Sequence, residues 1–199
     1  MSEEKKLPVI TISRTYAAYG RTVAQELSKR LGIPVYDKDF VKETATKSGY
    51  SEEDIAREGE QMSRISKFMN SLLNNATVYT SSYDGIFRAQ KEVVLDLAQK
   101  PCIIVGRCAE HILTEAGIPC FRVFLYADDQ TRLKRAAELD ENNGMEPKKV
   151  LVKRDQLRNT YYKHYTGKEM GISENYDISI NTGKIGLEKT IEILCDILQ

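Results

Sequence analysis

The sequence of 199 residues has no tryptophan, only two histidines, and four cysteines, none in a Cys-x-x-Cys pair. Because zinc sites need several cysteine or histidine ligands at short spacings, this scarcity argues against a zinc centre. Three of the cysteines lie in or near apolar strand-like runs, which is typical of buried, reduced thiols. No apolar run is long enough to span a bilayer, and residues 1–6 form a charged tail that does not resemble a signal peptide. We therefore expect a cytoplasmic protein without a membrane partner.

An excess of charge of either sign is also missing. Lysine plus arginine and aspartate plus glutamate both total 29, and the two signs are interspersed along the chain. Such a chain has no net field to attract nucleic acid or an acidic membrane. A mixture of Tyr, Lys and Arg between residues 153 and 165 is compatible with RNA binding, but the zero net charge disfavours it.

The segment from Leu7 to Tyr36 predicts a strand, a loop and a helix. Val9-Ile10-Thr11-Ile12 is an apolar run typical of a buried parallel strand. A helix is expected from Arg21 to Leu31, where apolar residues recur at helical spacing, and Gly32 ends it. A loop between a buried strand and a helix start presents free backbone N–H groups and the positive end of the helix dipole. This arrangement favours phosphate binding.

The loop partly matches the phosphate-loop pattern of Gly, four residues, Gly, Lys and then Ser or Thr. Gly20, Arg21 and Thr22 supply its second half with Arg for Lys, and Thr15 occupies the first glycine position. Arginine keeps the positive charge and can bind phosphate through two N–H groups, while the Thr22 hydroxyl could contact Mg²⁺. A Rossmann-like unit without a phosphate ligand would show a similar pattern, so both interpretations stay open here.

Strand and helix patterns alternate through the chain, which predicts an α/β fold with a parallel sheet. Asp37 follows the second predicted strand, and Arg107 follows the strand that ends at Val105. Ligands of open parallel sheets bind at that edge. A helical segment from Glu58 to Asn75 carries a methionine-rich stripe. Core packing is the simplest explanation of that stripe, and a mobile substrate-closing arm or a homodimer face are the alternatives.

A basic segment from Pro147 to Tyr165 is predicted to be a long helix. Arg154 and Arg158 are four residues apart and therefore share one helix face. One interpretation is a solvated charged face with Asp155 as a local partner. The other is a hinged lid whose arginines close over phosphates during transfer, supplying positive charge and excluding water.

Taken together, these segments resemble the cytidylate kinase-like proteins, a branch of the P-loop nucleoside monophosphate kinases. The resemblance covers nearly the whole chain and rests on three stretches: ITISRTYAAYGRTVAQELSKRLGIPVYD, IIVGRCAEHIL, and RDQLRNTYYKHYTGKEMG with NYDISINT after it. It implies a five-stranded parallel sheet of order 2-3-1-4-5 flanked by helices, with helical acceptor-binding and lid segments. It also implies transfer of the γ-phosphate of ATP, with Mg²⁺, to a (d)CMP-like nucleoside monophosphate.

On the donor side, the resemblance places ATP over Gly20, Arg21 and Thr22, with Arg21 at the β- and γ-phosphates and Thr22 at Mg²⁺. Arginine at this position is usual in the family. The glycine-rich part of the family loop is replaced here by Ala17-Ala18-Tyr19. A tyrosine where the backbone must approach phosphate closely has to turn its side chain away.

On the acceptor side, Arg107 matches the family's Gly-Arg after the third strand and is expected at the acceptor phosphate, with Arg14 as a further candidate. Asp37 matches an aspartate near the acceptor pocket. Cytidylate kinases carry an acidic residue before the Gly-Arg, near the metal, and this chain has Val105 there. Mg²⁺ would then depend on Thr22, water and phosphates.

Two hypotheses follow from the sequence. The first is a nucleotide kinase with Arg21, Arg154 and Arg158 as catalytic residues and a lid motif formed by Arg154, Asp155 and Arg158. The second is a nucleotide-binding regulator that has lost catalysis, or a kinase of another small molecule. In either case we expect one domain over residues 1–199: a core of residues 7–36, 84–140 and 176–199, an acceptor-side arm at about 37–83, and a lid at about 146–170.

Overall fold

In the part of the chain that the structure describes, five parallel strands form one sheet in the order β2-β3-β1-β4-β5. The computed structural model describes residues 7–37, 82–139 and 144–199, with side chains from residue 85 onward in the second range. The strands are β1 (Val9–Arg14), β2 (Val35–Tyr36), β3 (Ile103–Val105), β4 (Cys120–Tyr126) and β5 (Ile178–Asn181). The sheet order predicted from the family resemblance is therefore confirmed.

Helices flank this sheet. In the described ranges they are α1 (Gly20–Leu31), α2 (Ser82–Leu97), α3 (Ala109–Glu115), α4 (Asp129–Glu138), α5 (Pro147–Thr166), α6 (Thr182–Ile185) and α7 (Leu187–Leu198), with a 3₁₀ turn at Ser173–Asn175. The sequence pattern did not predict α6, which begins where the Asn181 carboxamide accepts hydrogen bonds from the Gly183 and Lys184 amides. The methionine-rich segment from Glu58 to Asn75 lies outside the described residues.

Alternation along β1 divides the core into two layers. Ile10 and Ile12 are fully buried and pack on one face of the sheet with α1 and α7. Val9 faces the opposite layer, where it packs with residues of α2 and α3. Burying an isoleucine side chain contributes about 1.5–3 kcal/mol, so this alternation fixes which face each strand presents. Because all the strands are parallel, their carboxyl ends meet at one edge of the sheet.

Helix α5 lies across this edge and contacts two separate clusters. Near its start, Val150 and Leu151 are buried against Ala136 of α4 and the loop that follows β1. Near its end, Tyr161 and Tyr162 are buried beside Cys108, which follows β3. The helix therefore spans from the first loop of the chain to the loop after β3. Within the described ranges, no helix has the length and apolar character needed to cross a membrane.

Candidate active site

The loop between β1 and α1 adopts left-handed backbone conformations without glycine. Ala17 has a φ of 60° and Tyr19 a φ of 61°, whereas Ala18 between them is not in this region. For a residue with a Cβ atom, the left-handed conformation costs about 1–2 kcal/mol. Such strain persists only where the surroundings over-determine the backbone, and it is concentrated at functional sites.

The amino terminus of α1 opens into this loop without a capping side chain. Tyr19 is the N-cap residue, its side chain makes no capping hydrogen bond, and the first turn contains no acidic residue. The first N–H groups of a helix lack partners within the helix, and the helix dipole gives this end a positive charge. The backbone at Gly20, Arg21 and Thr22 can therefore receive an anion, as the sequence pattern predicts.

Gly20 is required at this turn for a steric reason. A Cβ atom at position 20 would lie 2.8 Å from Cγ of Arg14, a distance that real Cβ atoms do not adopt. The buried Arg14 side chain therefore passes directly beside the start of α1. Arg14, the arginine predicted to bind the acceptor phosphate, therefore lies next to the phosphate loop.

Three arginines line one cleft at the carboxyl edge of the sheet. Arg14 comes from the end of β1, Arg107 from the loop after β3, and Arg158 from α5. The cleft is completed by polar and apolar side chains and one glycine: Ser13, Gly106, Cys108, Tyr161, Tyr162 and Met170. The structure thus brings together Arg14, Arg107 and Arg158, which the sequence distributes over 145 positions from Arg14 to Arg158.

Arg107 lies in a strained turn. Gly106, Arg107 and Cys108 have φ values of 77°, 63° and 53°, so three consecutive residues are left-handed and only the first is glycine. The turn directs the chain from β3 into α3 and presents Arg107 to the cleft. A strained backbone at this edge of the sheet is consistent with a ligand-binding role.

The two arginines predicted for the lid lie over one aromatic ring. The guanidinium carbons of Arg154 and Arg158 are 5.6 and 5.7 Å from the centroid of the Tyr16 ring. Asp155, between them in sequence, accepts a hydrogen bond of 2.7 Å from the Tyr16 amide and pairs with Arg132 of α4. The segment that the sequence assigns to a lid is therefore attached to the phosphate loop in this structure.

Arg21 and Asp37 form an ion pair. Arg21 Nε lies 2.5 Å from Asp37 Oδ2, and the two side chains are 48% and 20% exposed. The sequence predicts that Arg21 binds ATP and that Asp37 lies near the acceptor. In the structure these two side chains contact each other. For Arg21 to bind phosphate, its guanidinium must share or leave the contact with Asp37.

A buried carboxyl group lies behind the cleft wall. Glu110 on α3 is 3% exposed, and its Oε2 accepts a hydrogen bond of 3.3 Å from the Ser13 hydroxyl. Burial raises the pKa of Glu110, and hydrogen bonds from Tyr162 and Ser13 oppose that rise. Burial, together with the negative charge of Glu110, also raises the pKa of Tyr176 to about 12. The wall formed by Ser13 and Tyr162 is thus supported by a polar network.

Metal coordination has little support from protein carboxylates in the described ranges. Among those residues, no group of three or more His, Cys, Asp or Glu side chains is placed to hold a metal ion. Mg²⁺ usually keeps several waters and binds through substrate phosphates, so a single hydroxyl such as that of Thr22 is compatible with its chemistry.

Several residues that line the cleft were not predicted from the sequence. Tyr161 and Tyr162 lie three and four positions after Arg158, so they share its face of α5, and this spacing could have identified them. Ser13 directly precedes Arg14 at the end of β1. Cys108 and Met170 lie within the stretches IIVGRCAEHIL and RDQLRNTYYKHYTGKEMG that carry the family resemblance, but the chemistry of neither side chain marks it as a cleft residue.

Comparison with known proteins agrees with this architecture. The profile of the cytidylate kinase-like family matches residues 9–184. A cytidylate kinase of Thermoplasma acidophilum is 29% identical over 174 residues, covering 87% of this chain and 82% of that protein. A cytidylate kinase of Archaeoglobus fulgidus is 21% identical and covers 93% of this chain and 91% of its own.

Solved structures show the same fold. A protein of Eubacterium ventriosum superposes with a TM-score of 0.69 at 22% identity, covering 96% of this chain and 98% of that one. The shikimate kinase of Bacteroides thetaiotaomicron superposes with a TM-score of 0.58 at 14% identity, covering 96% and 98%. The five-stranded order and these neighbours identify a P-loop NTPase fold. With the family profile matching most of its length, the chain belongs to the cytidylate kinase-like family.

Proposed function

We propose that this protein is a nucleotide kinase that transfers the γ-phosphate of ATP to a (d)CMP-like nucleoside monophosphate. One observation carries the proposal. Arg14, Arg107 and Arg158 line one cleft, and the Arg14 side chain passes beside Gly20 at the uncapped start of α1, so a donor phosphate and an acceptor phosphate would meet among positive charges. Phosphoryl transfer depends mainly on positioning and on stabilisation of charge, and this arrangement supplies both.

Each residue is given one role. The backbone of Gly20, Arg21 and Thr22 would hold the triphosphate, with the Arg21 side chain on the β- and γ-phosphates and the Thr22 hydroxyl on Mg²⁺. Arg107 and Arg14 would hold the acceptor phosphate, and Asp37 would face the acceptor from the end of β2. Arg154 and Arg158 would contact the transferring group. Bound Mg²⁺ would neutralise charge on the phosphate oxygens.

A general base is unnecessary in this scheme. The acceptor is already an anionic phosphate oxygen, so no proton has to be removed for it to attack. The division into a core, an acceptor-side arm and a lid is part of the same proposal, and so is a cytoplasmic location.

The test is ADP release in Mg²⁺ buffer with CMP, dCMP and UMP as acceptors. We expect acceptor-dependent release from the parent. Arg158→Ala should lower kcat by about a thousandfold with little change in ATP affinity, because an arginine that acts in the transition state has an effect of this size. Lys153→Ala removes an exposed cation from the same helix and is the matched control. Equal losses in the two variants would contradict the assignment of Arg158.

A regulator without catalysis is the second candidate, and the Arg21–Asp37 ion pair favours it. An arginine held by a carboxylate is less available to phosphate. Such a protein would bind ATP in calorimetry and release no ADP with any monophosphate. Arg21→Ala tests the loop in both cases: we expect triphosphate affinity to fall while the fold is kept, since the Arg21 side chain is about half exposed. Unchanged affinity would remove the loop from either function.

A further inference from the structure

Tyr16 makes two independent contacts with helix α5. Its amide donates to Asp155 Oδ1 at 2.7 Å, and its ring lies beneath the guanidinium groups of Arg154 and Arg158. The residue is only 4% exposed although it belongs to a loop at the edge of the sheet. The ring packs in a cluster with Ala17 of the loop and with residues of both helices that cover it: Ala136, Val150 and Leu151.

From this geometry we infer that Tyr16 is a positioning residue that sets the Arg154–Arg158 pair over the phosphate loop. The inference rests on the proposed kinase function and adds a residue to it. Tyr16 itself needs no contact with substrate, because it acts through the two arginines. Arg158 also lines the cleft that contains Arg14 and Arg107, so its orientation decides whether three charges converge there.

The ring has a physical reason to order these side chains. Two guanidinium groups four residues apart on one helix face repel each other, and arginine side chains have many rotamers. The face of an aromatic ring carries partial negative charge and attracts a cation within about 6 Å of its centroid. Both guanidinium carbons are inside this limit, at 5.6 and 5.7 Å. One buried ring can therefore hold both cations on the same side of the helix.

The two contacts of Tyr16 can be separated by substitution. The bond to Asp155 comes from the backbone amide, so every residue except proline retains it at this position. Tyr16→Leu therefore removes the aromatic face. It keeps the hydrogen bond from the backbone amide to Asp155 and an apolar side chain against Val150 and Leu151. Tyr16→Phe keeps the ring. If Tyr16→Leu folds poorly, Tyr16→Met gives the same comparison with a more adaptable side chain.

The other loop tyrosine is a matched control. The Tyr19 ring lies 4.9 Å from the guanidinium carbon of Arg135, on α4, and packs against the core cluster that contains α1 and α7. Tyr19→Leu removes an aromatic ring and a cation contact from the same loop. It should leave the orientation of Arg154 and Arg158 unchanged.

The experiment is a double-mutant cycle on kcat between position 16 and Arg158. We expect Tyr16→Leu to lower kcat about tenfold with unchanged ATP affinity, Tyr16→Phe to restore most of the loss, and Tyr16→Leu to cost little once Arg158 is alanine. Tyr19→Leu should show no such coupling. In the unliganded protein, ring-current shifts of the Arg154 and Arg158 side-chain protons should disappear in Tyr16→Leu and persist in Tyr16→Phe.

The possible outcomes separate the positioning role of Tyr16 from the proposed kinase function on which it rests. Turnover in the parent with additive effects of Tyr16→Leu and Arg158→Ala would overturn the positioning role and leave the kinase intact. Ring-current shifts that survive Tyr16→Leu would overturn it as well. No acceptor-dependent turnover in the parent would overturn the kinase itself, and the positioning role would fall with it.

Discussion

Ala17 and Ala18 are neighbouring buried alanines with different backbone conformations, and replacing each by glycine should give different results. Ala17 is 8% exposed with a φ of 60°, whereas Ala18 is 1% exposed and outside the left-handed region. Both substitutions remove one buried methyl group and add one glycine to the unfolded chain. Only Ala17→Gly also relieves backbone strain, so the difference between the two variants isolates that strain.

The magnitudes follow from three contributions. Losing a buried methyl group costs about 0.8 kcal/mol. The greater freedom of glycine in the unfolded chain costs about 0.4–1 kcal/mol. Ala18→Gly should therefore reduce the free energy of unfolding by about 1–2 kcal/mol. Relief of the left-handed conformation returns about 1–2 kcal/mol, so Ala17→Gly should be close to neutral.

The assay is thermal unfolding of both variants beside the parent, with urea titration at one temperature as a second measure. For a chain of this size, 1 kcal/mol corresponds to about 2–4 °C in Tm, so the two variants should differ by about 2–8 °C. Equal destabilisation by both substitutions would refute the argument that the loop stores strain at Ala17. A larger loss for Ala17→Gly would show that packing of the Ala17 methyl group in the cluster with Tyr16 and Leu151 outweighs the relief of strain.

Two further predictions concern the cleft. Gly20→Ala should lower stability by about 1–3 kcal/mol and weaken CMP binding, because the new Cβ atom would displace the Arg14 side chain; an unchanged Tm with unchanged affinity in calorimetry would contradict this. Glu110→Gln should gain stability relative to the parent as pH rises. Burial raises the pKa of Glu110 above its ordinary 4.5, so its contribution is fully present below that pH and is lost as pH rises through the folded-state pKa. Urea unfolding of Glu110→Gln and of the parent, at pH values below and above 4.5, checks the sign of this change in relative stability. A stability difference that does not change with pH would exclude Glu110 as the titrating group.

The fold was predictable from the sequence because its signals are local. Apolar β-branched runs predict the buried strands, and alternation of strand and helix predicts a parallel sheet. The position of Arg107 directly after β3 follows from the same reasoning, since all carboxyl ends meet at one edge. The family resemblance supplied the strand order, which periodicity alone does not determine, and the structure confirms it.

The parts that escaped prediction depend on contacts between distant segments. Tyr16 and Asp155 are 139 positions apart, and their hydrogen bond has no signature in either local sequence. The same holds for the pairing of Arg21 with Asp37, which requires the start of α1 and the end of β2 to meet. The polar composition of α5 indicates a solvated helix, yet Tyr161 and Tyr162 are buried because the helix crosses the sheet edge.

The residues that replace glycine in the phosphate loop can affect phosphate binding in two opposite ways. Glycine is favoured there because the backbone must adopt positive φ, and this chain adopts it at Ala17 and Tyr19 without glycine. What the side chains add is attachment: the Tyr19 ring lies against Arg135, and the neighbouring Tyr16 ring lies beneath Arg154 and Arg158. A glycine-rich loop would be freer before binding and would lose more entropy on ordering around phosphate. Replacing Ala17, Ala18 and Tyr19 together by glycine removes the crowding and the attachment through Tyr19, and leaves Tyr16 in place. If crowding limits the loop, that variant should bind ATP more tightly than the parent; if the attached side chains hold the loop ready for phosphate, it should bind more weakly. Calorimetry of the triple variant therefore decides whether these residues replace glycine at a cost or prepare the loop for its ligand.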